Sequence, residues 1–145
     1  MGDGENMPED CIFCRIARGE IPCSKVYEDG HTFAFLDINP VSKGHALVIT
    51  KKHYETVLDM PEEEGVALAK ASVKVGRMVK KATGAAGINL LHNIGKAAGQ
   101  LVFHAHVHLV PRFENDGMGF RMGRSNYESP EEQEEFRRKI ASAGK

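Results

Sequence analysis

The apolar positions of the chain change their period several times. Ser24–Glu28 and Thr32–Leu36 are short runs rich in β-branched and aromatic residues, with Asp29-Gly30 between them. That pair favours a tight turn, so the two runs predict a β-hairpin. Asn39-Pro40 and Lys43-Gly44 punctuate the next connection, and His45–Thr50 then reads as a buried strand. From Asp59 the period lengthens. Asp59 fits an N-cap, Pro61 falls in the first turn, and Glu62, Glu63 and Glu64 gather at the positive end of a helix dipole. To about Thr83, the positions Val66, Ala69, Val73, Gly76 and Met78 keep helical spacing and read as a core stripe, with Gly84 and Gly87 closing the helix.

Beyond that helix, Ile88–Leu91 is a strand candidate, Asn93–Gln100 a glycine-containing loop and Leu101–Pro111 another strand. Short helices are expected at both ends. Cys11 to Arg18 gives one or two turns before Gly19. Ser129-Pro130-Glu131-Glu132 has a capping-box pattern with Pro at the first helical position, predicting a helix to about Ile140. The connection Asn93–Gln100 is too short for a parallel crossover, so the last two strands should be antiparallel neighbours. The order points to an α+β domain, a mostly antiparallel five-stranded sheet with one long helix and short terminal helices.

Inside the last strand the residues Phe103-His104-Ala105-His106-Val107-His108-Leu109 alternate histidine with apolar residues. A strand sends every second side chain to one face, so three imidazoles would share a face. Imidazole serves near neutral pH as nucleophile, general acid or base, and metal ligand. Two such rings can converge on one metal, and three can do so only with strain. The preceding loop, Asn93 to Gln100, suggests a different partner, because its glycines can bring backbone N–H groups close to a phosphate. A phosphate beside imidazoles suggests histidine attack on phosphorus, open to the neutral ring at pH 7.

Composition narrows the alternatives. At 145 residues the chain suits one domain, taken as residues 11–145 behind a flexible tail over residues 1–10. A formal net charge of -1 argues against a nucleic-acid partner. No apolar run approaches the ~20 residues that span a bilayer, so no membrane association is expected. The acidic start, Met1 to Asp10, lacks the apolar core of a secretory signal. The three cysteines do not make a disulfide framework, and the default compartment is the reducing cytoplasm. Cys11-x-x-Cys14 by itself permits a redox pair, a metal site or two passive thiols. Cys23 reads as a passive thiol, His31 as a surface residue and His92 as structural.

His104-Ala105-His106-Val107-His108-Leu109-Val110 resembles the signature of the histidine triad (HIT) family, in which histidines alternate with apolar residues. The likeness runs in order from Cys11 to Arg112. It includes Ile12-Phe13, Phe35-Leu36-Asp37-Ile38-Asn39-Pro40, Gly44 to Ile49, Asn93, Gly99-Gln100 and Pro111-Arg112. The resemblance implies a nucleotide hydrolase. His106 would attack the α-phosphorus and form a nucleotidyl-histidine that water then hydrolyses. His108 would hydrogen-bond the phosphate, with Gln100 and Asn93 helping to hold it or the departing group. Asp37 would bind the ribose hydroxyls, and Phe13, Phe35 and Ile38 would form the base pocket. His45 resembles a family histidine behind the site. Many relatives have Ser or Thr after the Gly99-Gln100 pair. Leu101 stands there instead, keeping the backbone N–H and losing a hydroxyl that can contact the leaving group.

A subset of the family resembles this chain in having Cys-x-x-Cys at the start. By that resemblance Cys11, Cys14, His53 and His104 would hold a structural zinc, and no magnesium motif is evident. The implied substrates are purine nucleoside phosphoramidates or related mononucleotide conjugates. The alternatives are a dinucleoside polyphosphate hydrolase, a nucleotidyltransferase, a nucleotide-binding protein without turnover, and a metal module using all three histidines. The resemblance also implies a homodimer joined through the long helix and a strand, with Glu114–Tyr127 helping to complete the partner's site.

Overall fold

The computed structural model describes residues 10–119 and 122–144. Most of the expected N-terminal tail lies outside the described residues, as do Phe120 and Arg121 of the Glu114–Tyr127 segment. The elements are α1 (Ile12–Ala17), β1 (Lys25–Glu28), β2 (Thr32–Leu36), β3 (Ala46–Thr50), α2 (Glu62–Thr83), β4 (Gly87–Leu91), β5 (His106–Arg112) and α3 (Pro130–Ala143). The strands form one five-stranded sheet in the order β1-β2-β3-β5-β4, and every neighbouring pair is antiparallel. The fold is α+β, as expected. The hairpin forms at Asp29-Gly30, where the Asp29 carboxylate accepts from the backbone N–H groups of His31 and Thr32. Among the described residues no helix is long and apolar enough to cross a membrane.

Strand alternation divides the interior into two cores. Ala34, Ala46, Val48, Val107 and Leu109 face α2 and pack against its Leu68, Ala71, Val75 and Val79. Phe33, Phe35, Leu47 and Ile49 face the other way, toward Phe13 and Ile16 of α1. The covers differ in size. The 22 residues of α2 span roughly 33 Å, and the six residues of α1 roughly 9 Å. A seven-residue strand such as β5 is roughly 23 Å long. The short helix therefore leaves part of its face uncovered.

Four local expectations change. The stripe Val66, Ala69, Val73, Gly76 and Met78 faces outward; Val66 is 66%, Val73 49% and Met78 39% exposed. The residues that meet the sheet are Leu68, Ala71, Ser72, Val75 and Val79. Both stripes have helical spacing. The sheet takes the second, and Ser72 is tolerated there because its hydroxyl donates to the Leu68 carbonyl at 2.7 Å. Asp59 does not cap α2, whose N-cap is Pro61; it pairs with Thr56 in the capping box of the preceding 3-10 turn, Val57–Asp59. The last strand begins at His106, not Leu101. The Thr50 carbonyl at the end of β3 accepts from the His104 ring at 2.7 Å, so the ladder goes no further. The C-terminal helix runs past Ile140 to Ala143.

Candidate active site

The uncovered part of the α1 face is a cavity of about 550 Å³. Phe13, Phe35, Asp37, Ile38, Asn93, Gly99, Leu101, His106 and His108 line it. The fold therefore brings together all of these expected site residues. Phe13 and Phe35 are buried and meet edge to face at 5.5 Å, whereas Ile38 at the rim is 91% exposed. Asp37, just beyond β2, accepts from the Asn39 N–H at 2.8 Å and lies 3.7 Å from His45 Nε2. It caps the turn that presents Ile38 and still lines the cavity.

The three histidines of the row occupy three different electrostatic settings. His106 Nδ1 donates to the His104 carbonyl at 2.7 Å, which leaves Nε2 as the ring's bare nitrogen. Burial pushes the His106 pKa down, against the pull of that hydrogen bond and of Asp37, so the neutral ring is favoured. The state of His108 follows from a backbone group further away. The Val41 N–H donates to His45 Nδ1 at 3.1 Å, so the proton of neutral His45 sits on Nε2. That nitrogen lies 3.0 Å from His108 Nδ1 and donates to it. His108 then carries its own proton on Nε2. Burial, with His106 and His45 nearby, pushes its pKa down to about 4. It is thus a neutral N–H donor with its ring facing the cavity. Register places the pair correctly: His106 and His108 oppose Ile49 and Leu47 of β3, whose side chains share that face.

His104 belongs to a second constellation. Its Nε2 donates to the Thr50 carbonyl at 2.7 Å, leaving Nδ1 bare. That Nδ1 lies 3.3 Å from Cys11 Sγ and 3.5 Å from Cys14 Sγ, and His53 Nδ1 lies 3.3 Å from Cys14 Sγ. All four donor atoms fall within 4.8 Å of one another. A tetrahedral zinc with ordinary Zn–S and Zn–N bonds separates sulfur from nitrogen by about 3.5 Å, so the donor set fits that ion. Burial and the neighbouring Cys11 push the Cys14 thiol up to about 12, and its thiolate needs a cation beside it. Cys11 also caps α1 by accepting from the Cys14 N–H.

Gln100 stands apart from the cavity lining. It is 1% exposed, its Nε2 donates to the Glu55 and Val102 carbonyls, and its Oε1 accepts from the Gly95 N–H. Its amide ties the loop instead of facing a phosphate. The backbone cradle expected of that loop is likewise largely spent, because Ala98, Gly99 and Gln100 donate their N–H groups within the loop. Gly99, at φ +98, permits the tight return that sets Asn93 and Leu101 at the cavity. Sequence reading missed Ile21, Pro22 and Cys23, which line the cavity between α1 and β1. The apolar pair Ile21-Pro22 after Gly19 was the available signal. His31 is more than a surface residue: its Nδ1 lies 2.8 Å from the buried Glu64 carboxylate at the start of α2. His92 is half-buried, with a buried Nε2 that has no partner among the described residues.

A family model described as the HIT domain matches residues 18–115. The chain belongs to the HIT family. A crystallised member of the family from Bacillus subtilis superposes on this HIT protein with a TM-score of 0.86 at 42% identity, covering 92% of this chain and 96% of that one. A zinc-bound histidine triad family protein from Mycobacterium smegmatis gives a TM-score of 0.73 at 36% identity, covering 92% and 97%. Among relatives, an adenosine 5'-monophosphoramidase of Schizosaccharomyces pombe is 40% identical over 133 residues, 91% of this chain and 96% of its own length. An adenylylsulfatase of Arabidopsis thaliana is 44% identical over 119 residues, 79% of this chain and 60% of its own length.

Proposed function

We propose that this HIT protein is a hydrolase of purine nucleoside phosphoramidates or related mononucleotide conjugates, working through a nucleotidyl-histidine at His106. The observation that carries the reading is the His106 ring, which lines the cavity and is held at Nδ1 by the His104 carbonyl, leaving Nε2 as its bare nitrogen. Nε2 attacks the α-phosphorus as the bond to the leaving group breaks. The leaving group departs with the bonding pair and takes a proton from solvent. Water then adds to phosphorus, releases a proton and returns His106 to its neutral form. His108 Nε2–H donates to a non-bridging oxygen, where charge develops. Asp37 receives the ribose hydroxyls, and Phe13, Phe35 and Ile38 hold the base. The phosphoramidase and adenylylsulfatase relatives support hydrolysis of an adenylyl group from a nitrogen or oxygen neighbour.

Zinc at Cys11, Cys14, His53 and His104 belongs to the same proposal, supported by the donor geometry and the zinc-bound relative. When bound it would hold the thiols as thiolates and tie α1 to the sheet. The free thiols suit a reducing compartment such as the cytoplasm. We also propose a homodimer, supported by the exposed apolar stripe Val66, Val73 and Met78 on α2. Light scattering of the purified protein tests it, and a monomer at micromolar concentration overturns it. The decisive experiment for the chemistry is rapid quenching with a phosphoramidate of AMP, followed by mapping of the adenylyl group. Label on His106 is expected, and label on any other residue overturns the reading.

A further inference from the structure

The carbonyl that orients His106 belongs to a residue outside the backbone ladder of the sheet. His104 precedes β5 and makes no ladder pair with β3. The next residue is fixed by one bond, from the Ala105 N–H to the Tyr54 carbonyl at 2.8 Å. The Gln100 amide holds the Val102 carbonyl two residues back, and His104 itself is held by its ring, engaged at both nitrogens: Nε2 on the Thr50 carbonyl and Nδ1 on the two thiols. His104 thus faces the cluster with its side chain and the nucleophile with its carbonyl, 2.7 Å from His106 Nδ1. A second strut runs alongside. Phe13 lies between Cys11 and Cys14 on α1, and its ring meets His104 edge-on at 6.0 Å and His106 at 5.1 Å.

We infer that the Cys11, Cys14, His53 and His104 cluster, closed on a zinc ion, positions the nucleophile as well as stapling the fold. Drawing the four donors together fixes the His104 carbonyl and the Phe13 ring, and through them the tautomer and the aim of His106. The inference rests on reading His106 as the nucleophile. His53 and His104 are positioning residues here. His53 meets Cys14 Sγ and the His104 ring and does not line the cavity, which makes it the cleanest place to open the cluster.

A staple alone would set stability and leave the chemistry of the folded protein unchanged. Positioning predicts a loss in the nucleotidylation step with nucleotide affinity kept. The test compares full-length wild type loaded with zinc, the same protein after chelation, His53→Ala and His53→Cys. Zinc accepts the Cys3His set that His53→Cys creates. Nitrogen-15 NMR of the imidazoles reads the tautomer directly. Loaded wild type and His53→Cys should show His106 as one tautomer protonated at Nδ1. Chelated wild type and His53→Ala should show a mixture, with folded far-UV spectra. Single-turnover nucleotidylation should fall at least about tenfold, since a misplacement near 1 Å can cost on the order of 100-fold. The dissociation constant for AMP should move by less than about threefold, on the scale of a loss confined to the reacting geometry.

An unchanged tautomer and rate in folded, zinc-free protein overturns the inference. Exchange of zinc for the larger cadmium ion is the second measurement, because it keeps the cluster closed in a folded chain. Shifted His106 ring signals support positioning, and unshifted ones overturn it. If loaded wild type forms no nucleotidyl-histidine, the functional reading fails, and the tautomer comparison decides this inference by itself.

Discussion

One sheet carries two faces that the same alternation of residues builds very differently. Against α2 the sheet presents alanine, valine and leucine, and a helix of 22 residues covers them along its whole length. Against α1 it presents phenylalanines and histidines, and a helix of six residues covers only part of them. The first face is closed by length and small side chains. The second is left open by a short cover, and the opening is the cavity with His106 and His108 in its wall. The difference teaches that a histidine-lined cavity can arise from what a helix fails to cover, while a long helix closes the opposite side of the same strands.

That division predicts which property each face controls. The largest effect belongs to His106→Ala on the open face. Turnover of an AMP phosphoramidate should fall by at least about 10⁴-fold, the scale of deleting a covalent nucleophile. Melting temperature should change little, and a large drop in melting would break the comparison. Leu68→Ala on the closed face should do the reverse. Leu68 is fully buried against the sheet, and the loss should be about 2–5 kcal/mol in a denaturant titration. The kcat of the folded fraction should stay as in wild type; a kcat that falls with stability would show the two faces to be coupled.

A smaller effect tests the wall behind the cavity. His45→Ala removes the donor that fixes the His108 tautomer. Steady-state kinetics should show kcat lower by about 10–100-fold, the usual loss on removing a partner that orients a functional ring. An unchanged kcat would mean that His108 needs no such orientation. The smallest effect lies at the start of α2, where the hydrogen bond and the charge of Glu64 raise the His31 pKa above its ordinary value of 6.5. A raised folded pKa stabilises the protein fully below the unfolded value and is lost as pH rises through the folded one. The melting temperature of wild type should exceed that of His31→Ala at pH 6, and the gap should close toward alkaline pH. A gap independent of pH would assign the contact to packing.

The β1–β2 hairpin and the antiparallel pairing of β4 with β5 were legible because turns, loop length and strand alternation are local signals, whereas the place of β5 between β3 and β4 is a long-range choice that no local signal carries. The spatial grouping of the site was legible through motif resemblance, which gathers Asp37, Asn93 and His106 from distant parts of the chain. What resisted was any choice between two equal local solutions. Val66, Val73 and Met78 are as periodic as Leu68, Val75 and Val79, and only the depth available above Ala34 and Ala46 selects between them. Side-chain competition for backbone was equally hidden. Nothing local says that the His104 ring takes the Thr50 carbonyl and stops the strand, or that Gln100 spends its amide on Glu55, Val102 and Gly95.

The three imidazoles of the row take their protonation from backbone groups: the Thr50 carbonyl for His104, the His104 carbonyl for His106, and the Val41 N–H through His45 for His108. Main-chain atoms are present whatever residue is encoded. Mutations at the rim, at Ile38 or Leu101, can therefore remodel what enters the cavity without redistributing those protons. In evolutionary terms the proton placement of the histidine row is insulated from drift at the cavity's rim.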